Sequence, residues 1–209
     1  MHIDALHENA AEFFAGTIGE AIQASGGVLS TAERHYYYPG ALQEQFLANL
    51  PLPIGANRPH NQKIVFPTAT DFERFSSGGA ALEAYANNPR TTIYEDTAHH
   101  GDWQQGAARY LMGLLGYQVA FSFFDSAHGD GGIGPHRDNW HNVAVQFYGK
   151  KAWWLGNDVM LQTPEPTLVL SPGDILVFPQ NYPHDVRAIL GHSVHLSIET
   201  RLDTPIKSA

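Results

Sequence analysis

The 209-residue chain contains no cysteine. Disulfides, Cys-ligated zinc, thiolate-held iron–sulfur clusters and a cysteine nucleophile are thereby excluded, and any chemistry must come from nitrogen and oxygen groups. Charge is also scarce, at 16% of residues against roughly 25% in ordinary soluble domains. The 12 basic residues are scattered, with Lys150 and Lys151 the densest pair, and 21 acidic residues outnumber them to a net charge of −9. Phosphate backbones are held by clustered Lys and Arg, so no nucleic-acid partner is expected. No run approaches the roughly 18 apolar residues of a membrane span. The start of the chain carries Asp4, Glu8, Glu12 and Glu20 but no early Lys or Arg, unlike a secretory leader. These absences lead to the expectation of a cytoplasmic protein with no membrane partner. Histidine is in excess, its 12 copies equalling Lys and Arg together. Metal binding or proton chemistry would each use them, and composition does not choose between the two.

The length suits one domain, and its character changes near Gly116. The region 1–116 reads as helices and loops. Leu6, Ala10, Phe13, Phe14, Ile18 and Ala21 recur at helical spacing until Gly26-Gly27. Further helices are expected from Gly40 to Leu50, ended by Pro51 and Pro53, from Ser77 to Asn87, and from an Asp102 N-cap to Gly116. Tyr36-Tyr37-Tyr38 is expected in a loop, as a lid or packed on the following domain. The region 117–209 shifts to period two. Candidate strands are Tyr117–Asp125, Asn142–Phe147, Lys151–Leu155, Thr167–Leu170, Asp174–Phe178, His184–Ile189 and Val194–Thr200, a pattern suggesting a barrel or sandwich. The glycine-rich stretch Gly129 to Gly134 lacks the Lys and following helix of a phosphate-binding loop.

Gly134-Pro135-His136-Arg137-Asp138 precedes an apolar strand. Residues two apart in an extended segment share a side, so His136 and Asp138 can bind one ion while Arg137 faces away. A third ligand should be a histidine on another strand. His184 qualifies, following Pro172-Gly173-Asp174, an apolar strand and Pro179. Two imidazoles and a carboxylate leave three adjacent octahedral positions open, as in the facial triad of non-haem Fe(II) oxygenases. His128 and Asp130 form a second His-x-Asp, set among glycines that would hold no rigid geometry. A solvated turn would explain either pair. Downstream, Tyr148-Gly149-Lys150 is expected to turn the chain, with Lys151 opening an antiparallel return strand beside Trp153 and Leu155. Lys151 then either sits in a solvated hairpin or points into an aromatic-lined barrel, where it needs an anion. A bound dicarboxylate would supply one.

The span from Tyr117 to Arg201 resembles the Jumonji-C (JmjC) branch of the cupin superfamily of Fe(II)/2-oxoglutarate-dependent oxygenases, in particular its small hydroxylases. The shared features are the His-x-Asp, Asn142, the Gln146-x-x-Gly149 pattern, Lys151 and the Pro-Gly-Asp…Pro…His184 motif. The resemblance implies a mainly β fold with α: a double-stranded β-helix (cupin or jelly-roll barrel) with N-terminal helices packed on it. It further implies that His136, Asp138 and His184 hold Fe(II), that Lys151 binds the far carboxylate of the cosubstrate 2-oxoglutarate, and that O2 is consumed. Asn142, Ser197 and Ser122 would lie beside the cosubstrate. Two departures stand out: Ile133 replaces the Thr or Ser that many relatives carry three residues before the first ligand, and Asn181 replaces a glycine, which Asn's tolerance of the left-handed conformation makes mild.

On the last strand Val194, Leu196 and Ile198 alternate with His195, Ser197 and Glu199, and Arg201 continues the polar parity. Alternation separates two faces without saying which is inside; the resemblance puts Ser197 inside. His141 and His192 are expected at the surface or rim. The expected reaction is hydroxylation of a C–H bond, with 2-oxoglutarate decarboxylated to succinate. A small metabolite, amino acid or peptide is the first substrate expectation and a protein side chain the second. A cupin enzyme that does not use 2-oxoglutarate, or a metal-binding module without catalysis, are the other readings. Related hydroxylases often dimerise; no coiled-coil pattern argues for a homodimer here, and oligomeric state stays open.

Overall fold

The computed structural model describes residues 3–28, 33–55, 64–67, 72–75 and 77–205. Side chains of the first helix are described from residue 9 onward, so that of Leu6 lies outside the described residues. In chain order the elements are helix α1 (Ile3–Ala24), strand β1 (Tyr36–Tyr38), α2 (Glu44–Ala48), β2 (Ile64–Pro67), β3 (Phe72–Phe75), α3 (Gly78–Asn87), β4 (Thr92–Tyr94), a 3-10 turn (Thr97–His99), α4 (Asp102–Leu115), β5 (Tyr117–Ala127), β6 (His141–Leu155), α5 (Asn157–Met160), β7 (Leu168–Leu170), β8 (Ile175–Phe178) and β9 (His184–Pro205). Among the described residues no helix is long and apolar enough to cross a membrane.

The strands are antiparallel in the order β1-β8-β6-β9-β5-β4-β2-β3, and β7 joins the far end of β6. β6 and β9 run side by side for their whole shared length, from His141 opposite Thr200 to Leu155 opposite His184. The expected hairpin at Tyr148-Gly149-Lys150 is therefore not a reversal. Register shifts between Gln146 and Lys151 bend β6 out of the sheet it shares with β8 and into the one it shares with β7. Bulges of this kind add local twist without ending a strand. Gly149 sits at the bend with φ of 62°. A Cβ there would lie 2.1 Å from the His192 carbonyl oxygen, so only glycine lets the two strands pass.

The alternation of β9 now has an orientation. Val194, Leu196 and Ile198 point outward, where with Val143, Val145, Phe121 and Phe123 they pack against Phe14 and Ile18 of α1 and Trp103 and Leu111 of α4. A smaller core of Ala144, Trp153, Leu155, Leu170, Leu176 and Phe178 fills the barrel interior. Burying each Leu, Val, Ile or Phe among them stabilises the fold by about 1.5–3 kcal/mol. The polar parity, His195, Ser197 and Glu199, lines the interior beside them.

The helical expectations hold for α1, α3 and α4, and Gly116 closes α4 in the left-handed conformation at φ 76°. The first half differs in other respects. Gly101 rather than Asp102 is the N-cap of α4, and the segment Gly40 to Leu50 is helical only over Glu44–Ala48. The first half also contributes four short strands. Tyr36-Tyr37-Tyr38 is one of them, not a loop or lid: it pairs with β8, and Tyr37 donates to Asp174 while Tyr38 donates to the Ala21 carbonyl. Asp174 also accepts from the Gly40 and Ser171 amides, which fixes the Pro-Gly-Asp turn.

Candidate active site

His136 and His184 are locked together by reciprocal backbone hydrogen bonds of 2.9 and 3.0 Å, an isolated antiparallel bridge that sets their rings side by side. Asp138 follows two residues on, its own carbonyl accepting from the Asn181 amide at 2.7 Å. Asn181 adopts φ 62°, the left-handed conformation expected of it. His136 and His184 each direct Nδ1 at the carbonyl two residues earlier, Gly134 at 2.8 Å and Tyr182 at 3.0 Å. A carbonyl only accepts, so Nδ1 carries the proton and the Nε2 lone pairs are left for a metal. Those nitrogens lie 3.7 and 3.4 Å from the Asp138 carboxylate oxygens. Among the described residues this is the one cluster of three such side chains whose donor atoms converge, all within 4.8 Å. Two neutral imidazoles and one carboxylate suit a divalent iron-type ion.

Electrostatics agree with this donor set. Burial and the neighbouring His184 lower the pKa of His136, which favours the neutral ligand form. Burial would raise the pKa of Asp138, but His184 and His136 in their protonated forms, together with the Asn142 donor, hold it below its ordinary value, so it is ionised. Asn142 donates to Asp138 Oδ2 at 3.2 Å, and Ser197 donates to Asn142 Oδ1 at 2.8 Å. These two expected cosubstrate neighbours thus form a chain that orients the carboxylate. Ser122 donates to Glu199 Oε1 at 3.0 Å and also lines the cavity.

The triad opens into a cavity of about 440 Å³ whose wall also holds Lys151. This lysine is 1% exposed. Its Nζ donates to the Phe124 carbonyl at 2.9 Å and the Ser126 hydroxyl at 3.1 Å, with no carboxylate in hydrogen-bond contact among the described residues. Burial lowers its pKa to about 7, opposed by the more distant Asp125 and Asp130. Lys151 is therefore inside the barrel, not in a solvated hairpin. Three residues of the cavity wall carry a buried nitrogen with no hydrogen-bond partner among the described residues: Nε1 of Trp140, Nε1 of Trp153 and Nδ1 of His195. Indole nitrogens are donors only, so a cation and residues with unused donors line a cavity suited to an acceptor-rich ligand. Glu199 stands on the Asp138 side. Burial raises its pKa to about 7, which lets it donate or accept near neutrality.

Several side chains are placed differently from expectation. His141 is buried in β6 at 2% exposure, and burial lowers its pKa to about 4. His192 is at the rim as expected, paired with Asp125. Arg201 is exposed, 3.6 Å from Glu199. The expected end of β5 at Asp125 falls two residues short of the observed end at Ala127 and so leaves out Ser126, although it shares the parity of Ser122. Thr91 was missed because its hydroxyl joins Ser126 at 3.0 Å from a distant segment.

Comparison with known proteins agrees with this architecture. The chain is 29% identical over 106 residues to ribosomal oxygenase 2 of Rattus norvegicus, covering 44% of this chain and 22% of that one. Over 73 residues it is 32% identical to the ribosomal protein uL16 3-hydroxylase of Escherichia coli, covering 28% and 20%. The solved ribosomal oxygenase YcfD from Escherichia coli, in complex with cobalt and succinic acid, superposes with a TM-score of 0.56 at 20% identity, over 82% of this chain and 49% of that one. The same protein in complex with cobalt and 2-oxoglutarate gives 0.55 at the same identity and coverage. The chain thus spans about a fifth of the curated relatives and half of the solved chains. The shared fold is the double-stranded β-helix expected from the sequence. With the family model for the JmjC domain matching residues 102–206, half of its length, the chain belongs to the JmjC domain family.

Proposed function

We propose that this chain is an Fe(II)/2-oxoglutarate-dependent oxygenase that hydroxylates a protein side chain. The observation that carries the reading is Lys151: a buried ammonium that, among the described residues, has no carboxylate in hydrogen-bond contact, in the wall of the same cavity as two imidazoles and a carboxylate. A buried cation without a counter-ion is costly, and a dicarboxylate reaching from the metal supplies that counter-ion.

His136 Nε2, His184 Nε2 and Asp138 would hold the iron, and bound 2-oxoglutarate with O2 supplies the oxidising chemistry, leaving succinate. The chain's own residues position and shield. Asn142 and Ser197 fix the Asp138 carboxylate, and the Gly134 and Tyr182 carbonyls fix the two rings. Lys151 neutralises the far end of the cosubstrate. Trp153 and Phe178, packed around His184, exclude water from the metal side. A protein side chain is favoured over the small metabolite first expected because both curated relatives are named for work on ribosomes, and the name of one specifies a ribosomal protein.

The test is succinate formation by protein reconstituted without oxygen with Fe(II), then given 2-oxoglutarate and O2, beside a His136→Ala variant. Purified ribosomal proteins serve as candidate substrates, read by a mass gain of one oxygen atom. His136-dependent succinate with an oxidised protein product is expected. Iron-loaded protein that neither binds 2-oxoglutarate nor forms succinate overturns the reading.

A further inference from the structure

Lys151 alone does not satisfy a buried carboxylate. An ammonium has three N–H donors and a carboxylate about four acceptor positions. Two of the Lys151 donors go to the Phe124 carbonyl and the Ser126 hydroxyl, and Ser126 is itself engaged with Thr91. Ile133 lines the cavity and brings no donor. His195 enters from β9 directly opposite Phe124, whose ring stacks on it at 4.7 Å and 9°, while the Trp153 ring meets it edge-on at 5.4 Å. Lys151 donates to the carbonyl of Phe124, the residue stacked on His195, and Trp153, which meets His195 edge-on, stacks on His184 at 6.3 Å, so His195 adjoins both groups. The residue is 4% exposed, lines the cavity, and its Nδ1 has no partner among the described residues. A phenylalanine would stack there equally well without leaving a buried nitrogen unsatisfied.

We propose that His195 is the second donor of the anion cradle: one imidazole N–H binds the far carboxylate of 2-oxoglutarate beside Lys151 and so sets the preference for a dicarboxylic over a monocarboxylic 2-oxo acid. This rests on the cosubstrate reading above. Calorimetric titration of the Zn(II)-loaded full chain compares 2-oxoglutarate with 2-oxopentanoate, which keeps the oxo-acid end and carries a methyl in place of the far carboxylate. His195→Phe, which keeps the stacked ring, should weaken 2-oxoglutarate about tenfold or more and leave 2-oxopentanoate and Zn(II) affinity unchanged. Equal losses for both acids, or none for 2-oxoglutarate, overturn the role of His195. Lys151→Ala reports on the underlying reading: a loss there with none in His195→Phe rejects His195 alone, whereas no loss in either rejects the dicarboxylate site. A measurement without substitution is 15N NMR of the Zn(II) protein with its histidines labelled and His195 assigned through its backbone. Its imidazole resonances should move with 2-oxoglutarate and stay near ligand-free values with 2-oxopentanoate; identical behaviour with both acids overturns the proposal.

Discussion

Two copies of His-x-Asp stand eight residues apart in this chain, and the structure uses them for unrelated purposes. At His136 and Asp138 a second strand approaches: His184 exchanges both backbone hydrogen bonds with His136 and adds its own ring. At His128 and Asp130 the partners are different. His128 is exposed, with Nδ1 3.3 Å from the Ala188 carbonyl, while Asp130 accepts from the Tyr85 hydroxyl and the Ala127 amide. The upstream copy braces a turn. Residue types and spacing are the same; what differs is whether a third donor arrives and whether the carboxylate is left for an ion or taken up by a hydroxyl and an amide.

The sharpest break in the comparison is removal of one ring from each copy. His136→Ala should weaken divalent metal binding by more than about 100-fold, since even residues that only orient ligands are worth 10–100-fold, and His128→Ala should leave it unchanged. Metal titration by calorimetry decides. Comparable losses in both variants would mean the upstream pair takes part in the site.

A second contrast lies within the site, between its metal end and its lysine end. Lys151 has its folded-state pKa lowered to about 7 from an ordinary 10.5, so the unfolded chain binds this proton more tightly between those values. The ligand-free fold therefore gains stability as pH rises through that window. A carboxylate ligand needs the ammonium, so above about pH 7 binding must take up a proton and 2-oxoglutarate affinity should fall by up to tenfold per pH unit. Lys151→Arg keeps its charge throughout and should flatten that part of the profile. An unchanged slope in the Arg variant would assign the titration elsewhere. At the metal end, Asn142→Ala removes the donor to Asp138 and should cost about tenfold in metal affinity, with pH dependence above 7 retained.

The triad was legible because its information is local: period-two spacing puts His136 and Asp138 on one side, and Pro179 stops a strand just before His184. Helix ends were legible for a similar reason, as at Gly116. The continuity of β6 was not, because Tyr148-Gly149-Lys150 has the residues of a turn, and the same left-handed glycine that reverses a hairpin also bends a strand between two sheets. Which parity of β9 faces inward was hidden too. The apolar side of a barrel strand is expected inside, but here helices α1 and α4 cover the outer face and the cavity needs the polar one. His141 illustrates the cost of judging a residue by type, since it lies in an apolar strand with neighbours that bury it. Strands β1 to β4 have three or four residues each, too short a period to read, and β1 pairs with a strand distant in sequence.

The smallest expected effects fall on the upstream copy, and their smallness is informative. Asp130→Ala removes acceptors from the Tyr85 hydroxyl and the Ala127 amide in a half-buried position, so a loss of about 1–2 kcal/mol in stability is expected by denaturant unfolding. The same turn leads to Gly132, Ile133 and Gly134 at the cavity edge, yet the ligands downstream are held by the bridge between His136 and His184. Metal affinity should therefore stay within a factor of two or so, a direct test of whether the site is anchored by β9 or by the loop before it. His128→Ala loses a single exposed contact to Ala188 and should move stability by no more than about 0.5 kcal/mol. A larger change there, without a change in metal binding, would mean that the glycine-rich loop is pinned to β9 at Ala188 and that the upstream histidine holds it.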